Sequence, residues 1–136
     1  DPAPSAVFVL LLFLWLFFWE IGGQNIPNDW TDVEEDRRLQ AQTIPIRLGP
    51  ERAAQVAMTA LVLALAAKVA LIFQSGIANK GLFALISLAL AGWLLMPAAS
   101  RLLRSCSRIH AMQLFNRASY YPPAMLLLVL IPVLLR

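Results

Sequence analysis

Three aspartates, Asp29, Asp32 and Asp36, stand at offsets i, i+3 and i+7. On one helix, side chains at those offsets share a face. Asn25 and Asn28 precede them by a turn or less and extend the same stripe, whereas Glu34 and Glu35 fall on other faces. Like charges at this spacing repel by about a few tenths of a kcal/mol per pair, and by more where the dielectric is low. Such a stripe is sensible when a cation sits on it. Carboxylate and amide oxygens are hard donors that suit Mg²⁺ or Ca²⁺. Mg²⁺ usually takes one or two carboxylates, some waters and the oxygens of a substrate phosphate. The stripe therefore predicts a Mg²⁺-bridged phosphate or diphosphate, with Asp29, Asp32 and Asp36 as metal ligands. Arg37, Arg38 and Arg47 are expected to add charge-assisted contacts to the same oxygens, with the positive-inside bias alone as the other reading of Arg37 and Arg38. Asn25 and Asn28 are expected to complete the substrate-binding set. The plain alternative is a solvated charged loop; one-face spacing, the flanking asparagines and the scarcity of charge elsewhere weigh against it. An EF-hand is excluded, because its alternate oxygen ligands and central glycine are absent here.

The elements that position this stripe are membrane helices. Of 136 residues, 60% are hydrophobic and only 14% charged, against roughly 45–50% and about 25% in soluble domains. Mean hydropathy is +0.69. So little polar surface excludes secreted disulfide domains, nuclear factors and cytosolic enzymes. The single cysteine, Cys106, leaves no internal disulfide. The chain begins at Asp1 and enters an apolar segment without a basic n-region or a small-residue cleavage site, so it does not read as a signal peptide. It reads as part of a longer protein.

A hydrocarbon core about 30 Å thick needs roughly 20 apolar residues in a helix. Four stretches qualify: about 5–22, 53–73, 82–99 and 118–135. Their long apolar runs suit helices and not barrel strands. The fold class is all-α, a polytopic transmembrane helical bundle. The segments 23–52 and 100–117 carry eight of the arginines, while the short segment between the middle spans carries only Lys80. The positive-inside rule then places 23–52 and 100–117 on the cytoplasmic side. The net charge of +3 is explained by topology and not by nucleic acid, since no basic-aromatic interleaving occurs.

The stretch Asn28-Asp29-x-x-Asp32-Val-Glu-Glu-Asp36-Arg37-Arg38, followed by Thr43-Ile-Pro45-Ile-Arg47-Leu-Gly49, resembles the second aspartate-rich motif of the UbiA superfamily of intramembrane prenyltransferases. Leu114-Phe115-Asn116-Arg117-Ala118-Ser119-Tyr120-Tyr121-Pro122 resembles the segment before the last helix of many members. The CDP-alcohol phosphotransferases, which also carry spaced aspartates on a membrane helix, are set aside because their Asp-Gly is missing. The resemblance implies that residues 1–136 are the C-terminal part of one bundle of about nine helices, with the motif after the sixth. It departs from the family in two ways. The first aspartate motif is absent, so the chain alone is expected to be inactive. Gln40 stands where glycine is usual, a strained choice if φ there is positive.

The resemblance further implies Mg²⁺-dependent transfer of a polyprenyl group from its diphosphate to a lipophilic, often aromatic, acceptor. Asp32 and Asp36, with Asp29, would hold the metal at the reacting diphosphate. Missing N-terminal helices of the same protein, or a partner subunit, would complete the site. A bacterial or archaeal inner membrane is the expected location. The alternative is a non-catalytic UbiA-like subunit of a larger membrane complex. Trp30, Tyr120 and Tyr121 could face an allylic cation, but interfacial anchoring is the ordinary role of such residues. Glu20 is expected to serve structure. Lys68, inside the second span, is expected to snorkel toward the outer face. His110 and Cys106 lack companions at ligand spacing.

Overall fold

A computed structural model describes residues 3–135, and every element in it is helical. The first helix, α1, spans Ala6–Trp19. Ser5 starts it by accepting a hydrogen bond from the Phe8 N–H at 3.1 Å, which satisfies one of the free N-terminal donors. A π-helical segment, Glu20–Asn25, continues it into α2, Ile26–Thr31. Then come α3, Val33–Arg38; α4, Ile44–Leu48; and α5, Pro50–Gln74. The chain closes with α6, Lys80–Ser105; α7, Arg108–Ser119; and α8, Tyr121–Leu134.

Four continuous stretches are long and apolar enough to cross a membrane: Ala6–Thr31, Pro50–Gln74, Lys80–Ser105 and Arg108–Leu134. At about 1.5 Å per residue each exceeds the hydrocarbon thickness. The charged ends predicted as loops therefore continue as helix. Residues 23–52 are largely helical, and 100–117 contract to the turn Cys106-Ser107.

Packing follows small residues, as it must where lipid removes the hydrophobic drive between helices. On α5, Ala53, Ala57, Ala60, Ala64 and Ala67 form one buried face. On α6, Ala84, Ala91 and Ala98 recur every seventh residue on another. A close seam lies at the π segment. A Cβ on Gly22 would stand 2.7 Å from the Ala57 carbonyl oxygen, and one on Gly23 would stand 2.7 Å from the Ala118 Cβ. Only glycine lets three helices meet there. Trp19 Nε1 donates to the Ala118 carbonyl at 3.1 Å, and Gln24 Nε2 donates to the Phe115 carbonyl at 3.3 Å, binding the seam to α7.

The turns have identifiable causes. Ser107 caps α7, and Lys80 Nζ donates to the Phe73 carbonyl near the C-terminus of α5 at 3.1 Å. Tyr120 separates α7 from α8, whose first turn carries Pro122 and Pro123. Gln40 has φ +57°, so the position where glycine is usual does require the left-handed region.

Lys68 corrects the snorkelling expectation. It is only 7% exposed, and its Nζ stands 4.0 Å from the centroid of the Trp15 ring. The aromatic face of α1 gives the ammonium a quadrupole partner inside the bundle, so it does not reach outward.

Candidate functional site

The aspartate stretch begins where the glycine seam fixes the first long helix against α5 and α7. Its helix does not run unbroken. Asp32 has φ −103° and ψ 11° and is the point at which α2 stops and α3 begins. Its carbonyl accepts the Asp36 N–H at 2.8 Å, so helical pairing resumes immediately. The stripe predicted on one helical face is thus divided between two short helices. Asp29 and Asp36 are half-buried, and Asp32 is exposed. The charge of Asp36, and after it that of Asp32, still bears on the Asp29 carboxylate.

A cavity of about 680 Å³ opens beside the break. Its wall carries three carboxylates, Asp32, Glu34 and Glu35, and three guanidiniums, Arg37, Arg38 and Arg108, together with Trp30. Asn25, Asn28, Asp29, Asp36 and Arg47 are not part of that wall. Asn25 and Asn28 are exposed, and the Asn28 carbonyl accepts the Thr31 hydroxyl at 2.7 Å. Arg47 is exposed on α4. The structure thus brings Asp32, Arg37 and Arg38 into one chamber and leaves the other predicted residues around it.

Arg108 is the residue that local sequence does not join to this group. It starts α7, some seventy positions after Arg38, and reaches the chamber because α2 packs on α7. Glu34 and Glu35 line the chamber as well, although the spacing argument set them on other faces. The turn at Asp32 is the reason, since it rotates α3 relative to α2. One further group stands out: Thr43 Oγ1 is buried without a hydrogen-bond partner, at the start of α4.

A second space, about 580 Å³, lies on the other side of α4. Ile44, Leu48, Phe18, Ile21, Val56 and Leu63 give it an apolar wall, with Arg52 and Gln55 among its few polar residues. The charged chamber takes Pro45 and Pro50, so α4 and the start of α5 divide an ionic room from an apolar one.

A match to the UbiA prenyltransferase family spans residues 2–132. The chain belongs to the UbiA prenyltransferase family. The match covers almost the whole length described, with three candidate spans in full and the fourth as far as residue 132. No curated protein and no solved structure matches the chain. UbiA membership identifies a multi-pass membrane protein from a family of membrane prenyltransferases.

The family's use of Mg²⁺ can be tested against these residues. Among the described residues, no group of three His, Cys, Asp or Glu side chains is placed to hold a metal ion. Mg²⁺, however, commonly needs only one or two carboxylates, the remainder being water and phosphate oxygen. Three neighbouring carboxylates of hard oxygen, two of them half-buried, fit that lesser demand in their chemistry.

Proposed function

We propose that this chain forms part of an enzyme that transfers a polyprenyl group from its diphosphate to a lipophilic, often aromatic, acceptor within the membrane. The observation that carries the reading is an ionic chamber and an apolar groove set side by side, with α4 between them. An isoprenoid diphosphate has the same two parts. Its tail suits the groove along Phe18, Ile44 and Leu63, and its head suits the chamber at Asp32 and Arg108. Arg37, Arg38 and Arg108 supply planar donors that match phosphate oxygens. Asp32 in the chamber wall, and Asp29 and Asp36 beside it, are the residues for Mg²⁺. When bound, the metal supplies positive charge that stabilises the departing diphosphate. Trp30, 7% exposed, gives the chamber a rigid apolar side. On the positive-inside rule the chamber faces the cytoplasm. Helices beyond this chain complete the site.

The test uses the full-length gene product, a labelled prenyl diphosphate and Mg²⁺. Asp32→Ala and Asp36→Ala should each lower product formation by about a hundredfold or more, as expected when charge stabilisation of a leaving group is lost. A chelator should abolish it. Undiminished product in both variants would remove the metal role. A full-length protein that makes no product but still assembles with other membrane proteins would support the non-catalytic alternative.

A further inference from the structure

Two charges of opposite sign lie inside the candidate spans, on the side of the bundle where α1 and α8 part. Lys68 stands 18 residues after Pro50 and six before the end of α5 at Gln74. It is therefore about 27 Å along the helix and about 9 Å from its outer end. It borders a space of about 260 Å³ whose described lining holds no acidic residue. Glu20 closes α1, 14 residues after Ala6, or about 21 Å into that span.

Lys68 is more than nine-tenths buried, and among the described residues the Trp15 ring stands over its ammonium at 4.0 Å. A ring face attracts an ammonium but accepts no ordinary hydrogen bond. Tyr121 Oη accepts the Trp15 indole N–H at 2.9 Å, which leaves the tyrosine's own hydrogen to be donated. A buried ammonium and a spare hydroxyl hydrogen in one space demand an oxygen acceptor, best an anionic one.

The open edge says what brings it. α5 and α6 bury residues along most of their length, whereas α1 buries none. Val9, Phe13, Leu16 and Glu20 are all exposed, and their offsets of four, three and four form one helical stripe. The Glu20 N–H pairs with the Leu16 carbonyl, so the carboxylate stands one turn beyond Leu16, a residue that borders the Lys68 space. A carboxylate at this depth faces protein or water and not lipid. A phospholipid could offer an anion to Lys68, but its acyl chains would then lie against Glu20, which hydrocarbon does not solvate. A helix can carry an acid for Lys68 and a donor for Glu20 on one face.

We propose that a transmembrane helix of the same protein, outside residues 1–136, packs along the edge between α1 and α8 and places an aspartate or glutamate beside Lys68. Its carboxylate pairs with the ammonium and accepts the Tyr121 hydroxyl hydrogen. The pairing rests on the chain's being part of a larger bundle and not on transfer chemistry, so it serves a non-catalytic subunit equally.

The full-length sequence gives the first test. A span outside residues 1–136 should carry an acid in its outer half, at the depth of Lys68; spans with no acid overturn the proposal. The second test treats the full-length protein in lipid nanodiscs with dicyclohexylcarbodiimide, which enters apolar sites. The carboxyl adds across the carbodiimide, the Lys68 amine gives up a proton and attacks the acyl carbon, and dicyclohexylurea departs. An amide remains, with the net loss of one water. Mass spectrometry should find the Lys68 peptide joined to the acidic span of the same polypeptide. A Lys68 peptide joined to another polypeptide, or left unjoined, overturns the proposal. Third, Lys68→Met in the full-length protein should lower the melting temperature by on the order of 10 °C, because it strands a buried carboxylate. Neutralising the partner acid in the same protein should restore most of that loss. Melting like wild type, or a loss that no neutralisation restores, overturns the pairing. If Lys68→Met alone does not fold, the double variant should, and failure with every span acid neutralised in turn is the same negative result.

Discussion

Arg117 satisfies the helix gap that Pro97 opens. Proline inside α6 has no N–H, so the carbonyl four residues earlier, at Trp93, loses its helical partner. Arg117 Nη2 donates to that carbonyl at 2.8 Å, and Nε donates to the Leu94 carbonyl at 2.7 Å. The guanidinium also stands 5.0 Å from the Trp93 ring. An arginine counted in the sequence as one of the topological charges is thereby a structural clamp between α7 and α6.

Arg117→Met should therefore destabilise the bundle by about 1.5–3 kcal/mol, the range for hydrogen bonds to a charged group. The same change in a Pro97→Ala background should cost less, because alanine restores the helical N–H. Unfolding in mixed micelles across the four proteins measures the coupling. Strict additivity would show that the clamp does not answer the proline.

The glycine seam makes a position-specific prediction. Gly22→Ala places its Cβ 2.7 Å from the Ala57 oxygen and 2.9 Å from the Leu61 Cγ. Overpacking of this kind costs about 1–3 kcal/mol. Gly92 meets nothing within 4 Å, so Gly92→Ala should be neutral or slightly stabilising within its helix. Thermal melts that rank these two variants the other way would contradict the seam.

Gln40 and Gly49 offer a matched pair. Gln40 sits at φ +57° and Gly49 at φ +81°. Gln40→Gly should stabilise the fold by up to about 1 kcal/mol, because a left-handed conformation is strained for a side chain bearing Cβ. Gly49→Ala should lose more, about 1–3 kcal/mol, because φ +81° with ψ 167° is a region essentially confined to glycine, although open space surrounds it. A loss of stability in Gln40→Gly would show that the glutamine side chain holds the turn.

Arg108 tests the composition of the chamber. If its guanidinium meets the diphosphate, Arg108→Gln should raise KM for the prenyl diphosphate about tenfold, with a smaller effect on kcat. The defect should grow at low salt, where exposed charges act over longer range. Unchanged kinetics at every ionic strength would leave Arg108 outside the site.

Hydropathy alone determined much of this molecule. Runs such as Ala6–Trp19 have no stable place but a bilayer, and in a bilayer an open chain satisfies its backbone only as helix. The aspartate spacing and the Thr43-to-Gly49 tail were also local, and they sufficed to indicate the family. Distance along the chain hid the rest. Arg108 joins Arg37 and Arg38 only because α2 and α7 pack together, which no local pattern encodes. The turn at Asp32 divides a stripe that periodicity presents as continuous. Lys68 shows the limit most plainly: position along α5 suggested an outward reach, but the Trp15 ring on another helix holds it within. Periodicity reports which side of a helix a residue occupies, whereas partners, cavities and buried charges depend on which other helix faces it.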